Sequence, residues 1–302
     1  MSLSKLANLT TRARMMEAIR AFFSGRGYLE VETPCRIPAP IPEATIVPFS
    51  SDSWFLQTSP EVCMKRLLAR GLPKIFQICK AFRRGERGQK HLPEFTILEW
   101  YRAGADYIDL MIETEEMIRF VATDLGSGGT LRYQGRVIDL NAGWPRISVS
   151  EALARYAGVR LEEGLSQDRF DELVVDVIEP ALAALGRVFL YDYPAAIGAS
   201  LARLKSADPR FAERFELYIA GMELCNGFSE LTGEQDYRQR FEHARSQQKT
   251  TASDYPVPGA FLSEINEMPP AAGNALGLDR LAMIFCDEDD ITAVTTFSPE
   301  DL

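Results

Sequence analysis

The sequence predicts an α+β fold in which an antiparallel β-sheet is flanked by helices. Three observations predict it. Strand-like runs come in neighbouring pairs joined by turn residues, 74–83 with 94–103 and 214–221 with 222–231, as hairpins do. Helix-periodic runs separate these pairs instead of alternating strictly with single strands, so a parallel sheet of repeated βαβ units is not expected. No internal repeat is present.

Taken in order, residues 10–24 read as a helix, with Met15, Met16, Ile19, Phe22 and Phe23 at helical spacing and Gly25 and Gly27 stopping it. YLEVETP alternates Leu29 and Val31 with Glu30 and Glu32 before Pro34, as a strand ended by proline. Four prolines make 35–48 an extended loop. A short strand over WFLQ follows, then a helix for which Ser59 suits the N-cap and Pro60 the first position. KIFQICKAFR and EFTILEWYRA form a hairpin around a polar, glycine-containing loop. Residues 106–123 read as an amphipathic helix, 131–140 as a small hairpin, 149–157 and 167–186 as helices, and FLYDYP as a strand. In the closing pair, Asn226, Phe228 and Glu230 fall at i, i+2 and i+4, hence on one face. GNALGLDRLAMIF reads as a strand end running into a helix.

The composition is that of a soluble globular protein, 46% hydrophobic and 25% charged. At 302 residues it can bury one large core, here read as a single domain over 1–302 with a small helical insertion at about 104–186. No run approaches the roughly twenty apolar residues of a membrane span, and the first residues carry no secretion signal. Five scattered cysteines and two histidines, without a CxxC pair, speak against a zinc site or a disulfide framework and for the cytoplasm. A net charge of −10 makes a polynucleotide a poor default partner, since such binders gain affinity by neutralising phosphates.

The chemistry lies in combinations. Glu216 and Glu223 flank an Ala220-Gly221 turn, so a hairpin brings two carboxylates together. That is costly without a cation between them, and Mg²⁺ is the natural one. Arginines offer a planar fork for phosphate oxygens and an aromatic offers a stacking plane for a base. With no GxxxxGK[ST] in the chain, this reads as a nucleoside triphosphate site without a P-loop. Singly, each of these residues has a plainer reading as surface charge or core.

FRRGERGQKHLPEF with Glu99 resembles motif 2 of the class II aminoacyl-tRNA synthetases, GNALGLDRL resembles motif 3, and the 10–24 helix with YLEVETP resembles motif 1. FELYIAGMELCNGFSEL is similar to the lysine branch, and the likeness covers about 10–295. The resemblance implies a class II synthetase-like catalytic domain without an anticodon-binding domain, homodimeric through motif 1. It implies ATP held by Arg83, Glu86, His91, Phe95 and Arg280. Arg83 would be catalytic at the α-phosphate, and Arg280 catalytic across the adenine and at the γ-phosphate. Glu216 and Glu223 would bind Mg²⁺. Ser59, Glu61, Glu99, Tyr101, Asn226, Phe228, Glu230 and Ala275 would hold an amino acid with two ammonium groups.

Two positions depart from the motif 2 pattern: Gly85 replaces a glutamate, for which either Glu86 substitutes through a shift of the loop or no residue does, and Leu92 replaces an asparagine. Within the class, the chain resembles the truncated lysyl-tRNA synthetase paralogues that modify elongation factor P with (R)-β-lysine. Ser59 and Ala275 stand where the synthetases have alanine and glycine. That implies elongation factor P as protein substrate, with (R)-β-lysine preferred over lysine and efficient tRNA charging not expected. A minimal tRNA-charging enzyme and a non-catalytic regulatory subunit are the rival readings.

Overall fold

A computed structural model describes residues 2–161, 166–247 and 255–302. Helix α1 (Leu3–Gly25) starts seven residues before its expected position, with the Ser2 hydroxyl accepting from the Lys5 amide. It is followed by β1 (Leu29–Glu30), β2 (Arg36–Ile37), β3 (Ser50–Ser51) and β4 (Trp54–Leu56), then α2 (Glu61–Ala69). Strands β5 (Lys74–Phe82) and β6 (Glu94–Ala103) pair antiparallel from Lys74 opposite Arg102 to Phe82 opposite Glu94, as expected. Helix α3 (Tyr107–Asp124) and the hairpin of β7 (Thr130–Tyr133) and β8 (Arg136–Asp139) come next. After β9 (Arg146–Ser148) the chain is helical in α4 (Val149–Ala152), α5 (Gln167–Leu173) and α6 (Glu179–Ala183), with π-helical turns at 153–157 and 174–178.

Strand β10 (Arg187–Pro194) leads through α7 (Ala195–Gly198) to β11 (Phe211–Ile219) and β12 (Met222–Ser229). The β11–β12 turn is Ala220-Gly221, both at positive φ (51° and 81°), as a two-residue hairpin turn requires. Helices α8 (Glu234–Gln247) and α9 (Gly259–Glu264) precede β13 (Ala271–Gly277) and α10 (Leu278–Cys286).

Eight strands form the central sheet in the order β1-β5-β6-β13-β12-β11-β10-β9. Its interior is antiparallel as expected, but both edges are parallel: β1 runs with β5 and β9 with β10. The sheet is therefore mixed. YLEVETP contributes only the two residues Leu29 and Glu30 to it, because the chain turns away towards the proline loop.

Helices α1, α3 and α10 cover one face, where Phe22, Phe23, Phe76, Trp100, Met117 and Leu281 are fully buried. On that side Glu113 accepts from Tyr28 (2.7 Å), Trp100 (3.0 Å) and Arg102 (3.3 Å), so its buried charge is fully met. The departure at Leu92 is explained here, since its side chain is buried in this same core. A second cluster packs α2, α8 and α9 around Tyr237, Phe241 and Phe261. Among the described residues no helix is long and apolar enough to cross a membrane.

Candidate active site

The β5–β6 hairpin builds the first part of the site. Arg83 follows β5, its amide bonded to the Pro93 carbonyl (2.9 Å) and its Nε to the Thr58 carbonyl (3.3 Å). Its guanidinium lies 5.0 Å from the centre of the Phe95 ring, with Glu86 at 3.7 Å. Gly85, at φ 85°, takes a backbone conformation that the expected glutamate would resist, and Glu86 reaches the arginine instead. Arg280, in the first turn of α10, contacts His91 and donates to the Glu223 carbonyl (2.8 Å). Asp279 fixes this turn by accepting from the Thr96 amide (2.6 Å) and pairing with Arg12 of α1. Arg83, Glu86, His91, Phe95, Ala275 and Arg280 all line one cavity of about 320 Å³. The guanidinium over the Phe95 ring is that of Arg83.

Beside it lies a buried acidic pocket. Glu99 on β6 accepts from Ser59 (2.6 Å) and Tyr101 (2.9 Å). Ser59 is thus a strap on Glu99. It is not the N-cap that the sequence suggested but lies one place before it, because α2 begins at Glu61 with Pro60 as its cap. Glu230 is fully buried, and its Oε1 has no hydrogen-bond partner. Burial, reinforced by Glu61, raises the Glu99 carboxyl to about 7 and the Glu230 carboxyl to about 8. Register sets Ala275 between Glu99 on one neighbour and Asn226 on the other. Phe228 borders the same pocket.

Sequence reasoning missed the cation in this pocket. Lys65 of α2 is 0% exposed, ion-paired with Glu61 and with Glu230 (2.5 Å), and 5.1 Å from the Phe228 ring centre. Burial alone would strip its proton, but Glu230 and Glu61 outweigh burial and hold its pKa well above the ordinary value. The four-residue step from Glu61 to Lys65 on one helix was the available signal. Gly273 was also missed. A Cβ there would stand 2.3 Å from Tyr101 Cε1 and 2.5 Å from Glu230 Oε1. Gly273→Ala is therefore expected to push both groups aside, raising the KM for the diamine about tenfold or more while the ATP KM moves little. Equal changes in both constants would place the defect elsewhere.

The β11–β12 hairpin brings Glu216 and Glu223 close enough to interact, as expected: burial first, then the Glu216 charge, raises the Glu223 carboxyl. Glu216 is already met by Arg214 (2.6 Å) and Tyr218 (2.7 Å), an ion pair not foreseen. Glu179 of α6 joins them, burial and these two carboxylates raising it to about 7. No group of three or more His, Cys, Asp or Glu suited to hold a metal exists among the described residues. Glu216 is thus paired with Arg214 and Glu223 lies 3.5 Å from Arg280, and two carboxylates are donors of the kind that a hard cation takes. Asn226 Oδ1 accepts from Arg214 (3.2 Å), which places it on the wall between the 320 Å³ cavity and a second one.

Residues 2–301 match the family model described as tRNA synthetases class II (D, K and N). The chain is 39% identical over 321 residues to the elongation factor P–(R)-β-lysine ligase of Pectobacterium carotovorum, covering 98% of this chain and 96% of that protein. It is 38% identical to the ligase of the same name from Sodalis glossinidius, with the same coverage. It is also 36% identical to a lysine–tRNA ligase of Moorella thermoacetica, over 95% of this chain and 64% of that protein.

Proposed function

This chain belongs to the class II tRNA synthetases of the D, K and N type, and from that premise we propose that it is an ATP-dependent ligase for elongation factor P. It activates (R)-β-lysine, and lysine more weakly, as an aminoacyl adenylate. It then transfers the acyl group to the ε-amine of a lysine on that factor. One observation carries the substrate reading. Three carboxylates and one resident ammonium leave the pocket short of two positive charges, the number a diamino acid brings. A neutral substrate would leave carboxylates unpaired in a buried site, at a cost of several kcal/mol by order of magnitude. The names of the ligases similar along nearly the full chain support the acceptor.

In the first step the substrate carboxylate attacks the α-phosphorus in line. The new O–P bond forms as the bond to pyrophosphate breaks. Arg83 faces the charge that develops there, Phe95 offers the adenine a stacking plane, and His91, Glu86 and Arg280 border the outer phosphates. Glu216 and Glu223 would hold Mg²⁺, which when bound supplies neutralisation of phosphate charge. Exposed Leu3, Leu6 and Leu29 in the α1–β1 element support a homodimer, and the reading extends to a cytoplasmic enzyme.

The test is lysine-dependent ATP–pyrophosphate exchange together with mass spectrometry of elongation factor P after incubation with ATP and either lysine isomer. Exchange with a mass gain on the factor is expected, larger for the β isomer. Exchange with label going to tRNA instead would favour a tRNA-charging enzyme, and no exchange with any diamino acid would reject both.

The raised carboxyls also set a pH dependence. Glu99 and Glu230 must be ionised to pair the ammonium groups, so diamine affinity is lost as pH falls through about 8 and 7. Between pH 6 and 8 the KM for the amino acid should fall about tenfold from Glu99 alone. Without substrate the sign reverses for stability. A carboxyl raised in the fold stabilises it below the unfolded value of 4.5 and loses that contribution as pH rises through 7. The thermal shift produced by lysine should therefore grow over this window. A pH-independent shift would remove Glu99 from the ammonium site.

A further inference from the structure

We propose that Glu43, in the proline-rich loop at 35–48, is the general base that takes the proton from the acceptor amine in the transfer step. The inference rests on the ligase reading above and concerns only its second half-reaction.

Two cavities meet at Glu43. One is the nucleotide-side cavity of about 320 Å³. The other, of about 550 Å³, is bordered by Tyr193, Gly198, Arg214, Arg240 and His243. Glu43, Thr45, Ile46, Glu223 and Asn226 line both. The mixed anhydride must span from Arg83, at the α-phosphate, towards Glu61 and Glu99, at the ammonium groups. Glu43 shares the smaller cavity with Arg83 and Glu86 and the larger with Arg214, so it borders the α-phosphate end of that span. The larger cavity has room for a lysine side chain arriving from another protein. Glu216, Glu223 and Glu179 line the larger cavity too, but the first is committed to Arg214 and Tyr218, the second is paired with Arg280 (3.5 Å), and the third is set against both carboxylates.

Burial raises the Glu43 carboxyl to about 7, against the pull of Arg83 and with Glu61 and Glu86 adding. A base poised near working pH accepts a proton efficiently. In the step, Glu43 takes a proton from the arriving ammonium, and the lone pair so freed forms the N–C bond to the acyl carbon. The C–O bond to the α-phosphate breaks, its electron pair leaves on AMP, and the second proton of the nitrogen passes to water, as does the one held by Glu43.

The test is single-turnover consumption of preformed adenylate by elongation factor P, each rate divided by the same protein's ATP–pyrophosphate exchange rate. Glu43→Gln should lower this ratio about a hundredfold and flatten its rise with pH near neutrality. Glu43→Asp should recover part of the loss. Hydroxylamine, an acceptor already uncharged at neutral pH, should be affected far less than the protein acceptor. A ratio within about threefold of the parent, or an equal loss with both acceptors, would overturn the assignment. Absence of exchange in the unaltered protein would instead overturn the ligase reading beneath it.

Discussion

Arg83→Ala is expected to lower ATP–pyrophosphate exchange by about a hundred- to a thousandfold while leaving the fold intact. The arginine is pre-placed by three separate elements. Its amide is paired to Pro93, its Nε to Thr58, and its guanidinium lies over Phe95. A donor so fixed costs little reorganisation when charge builds on the α-phosphate, and removing one such donor typically carries a penalty of this size. Stability should change by about 1 kcal/mol or less, because its ion pair with Glu86 is long, at 3.7 Å, and partly exposed. Arg83→Lys should fall between, keeping the charge and losing the planar fork. Near-normal exchange in the alanine variant would reject the α-phosphate role.

Lys65→Met is the second change expected to be severe, and its damage should appear in stability before activity. The methionine fits the stem of the lysine but leaves Glu61 and Glu230 facing each other with nothing between them. Breaking a fully buried pair in this way costs about 3–5 kcal/mol. The loss should depend on pH in a defined direction. Against burial, Lys65 holds the Glu230 carboxyl down to about 8, so without the lysine Glu230 keeps its proton up to and beyond that pH and the repulsion is relieved there, whereas at higher pH both carboxylates are charged. Thermal unfolding of the variant and its parent should thus converge at low pH and diverge at high pH. Curves separated by a constant interval would mean that Lys65 acts by packing alone.

Much of the site was legible in the sequence because its parts are local. Arg83, His91 and Phe95 belong to one hairpin, and register within a hairpin follows from alternation and loop length. The same holds for Glu216 and Glu223 across the Ala220-Gly221 turn. Lys65 was half visible, four residues from Glu61 on one helix, but its second partner, Glu230, lies 165 positions away. Gly273 reads as an ordinary strand glycine until Tyr101 and Glu230 are seen on either side of it. Glu43 carries no signal at all, since a proline-rich loop has no periodicity from which to read where a side chain lies.

By itself the sequence determined the hairpins, the amphipathic helices, the family and the acidic character of the substrate pocket. The hairpins and helices follow from spacing along a few neighbouring residues, whereas the family and the pocket follow from the likeness of the motifs. Only the tertiary structure decided the parallel edges of the sheet, the cation already resident in the pocket, and the junction of two cavities at Glu43. Each depends on contacts between segments far apart in the chain. Such contacts are chosen by burial and charge balance over the whole core, which no short window contains.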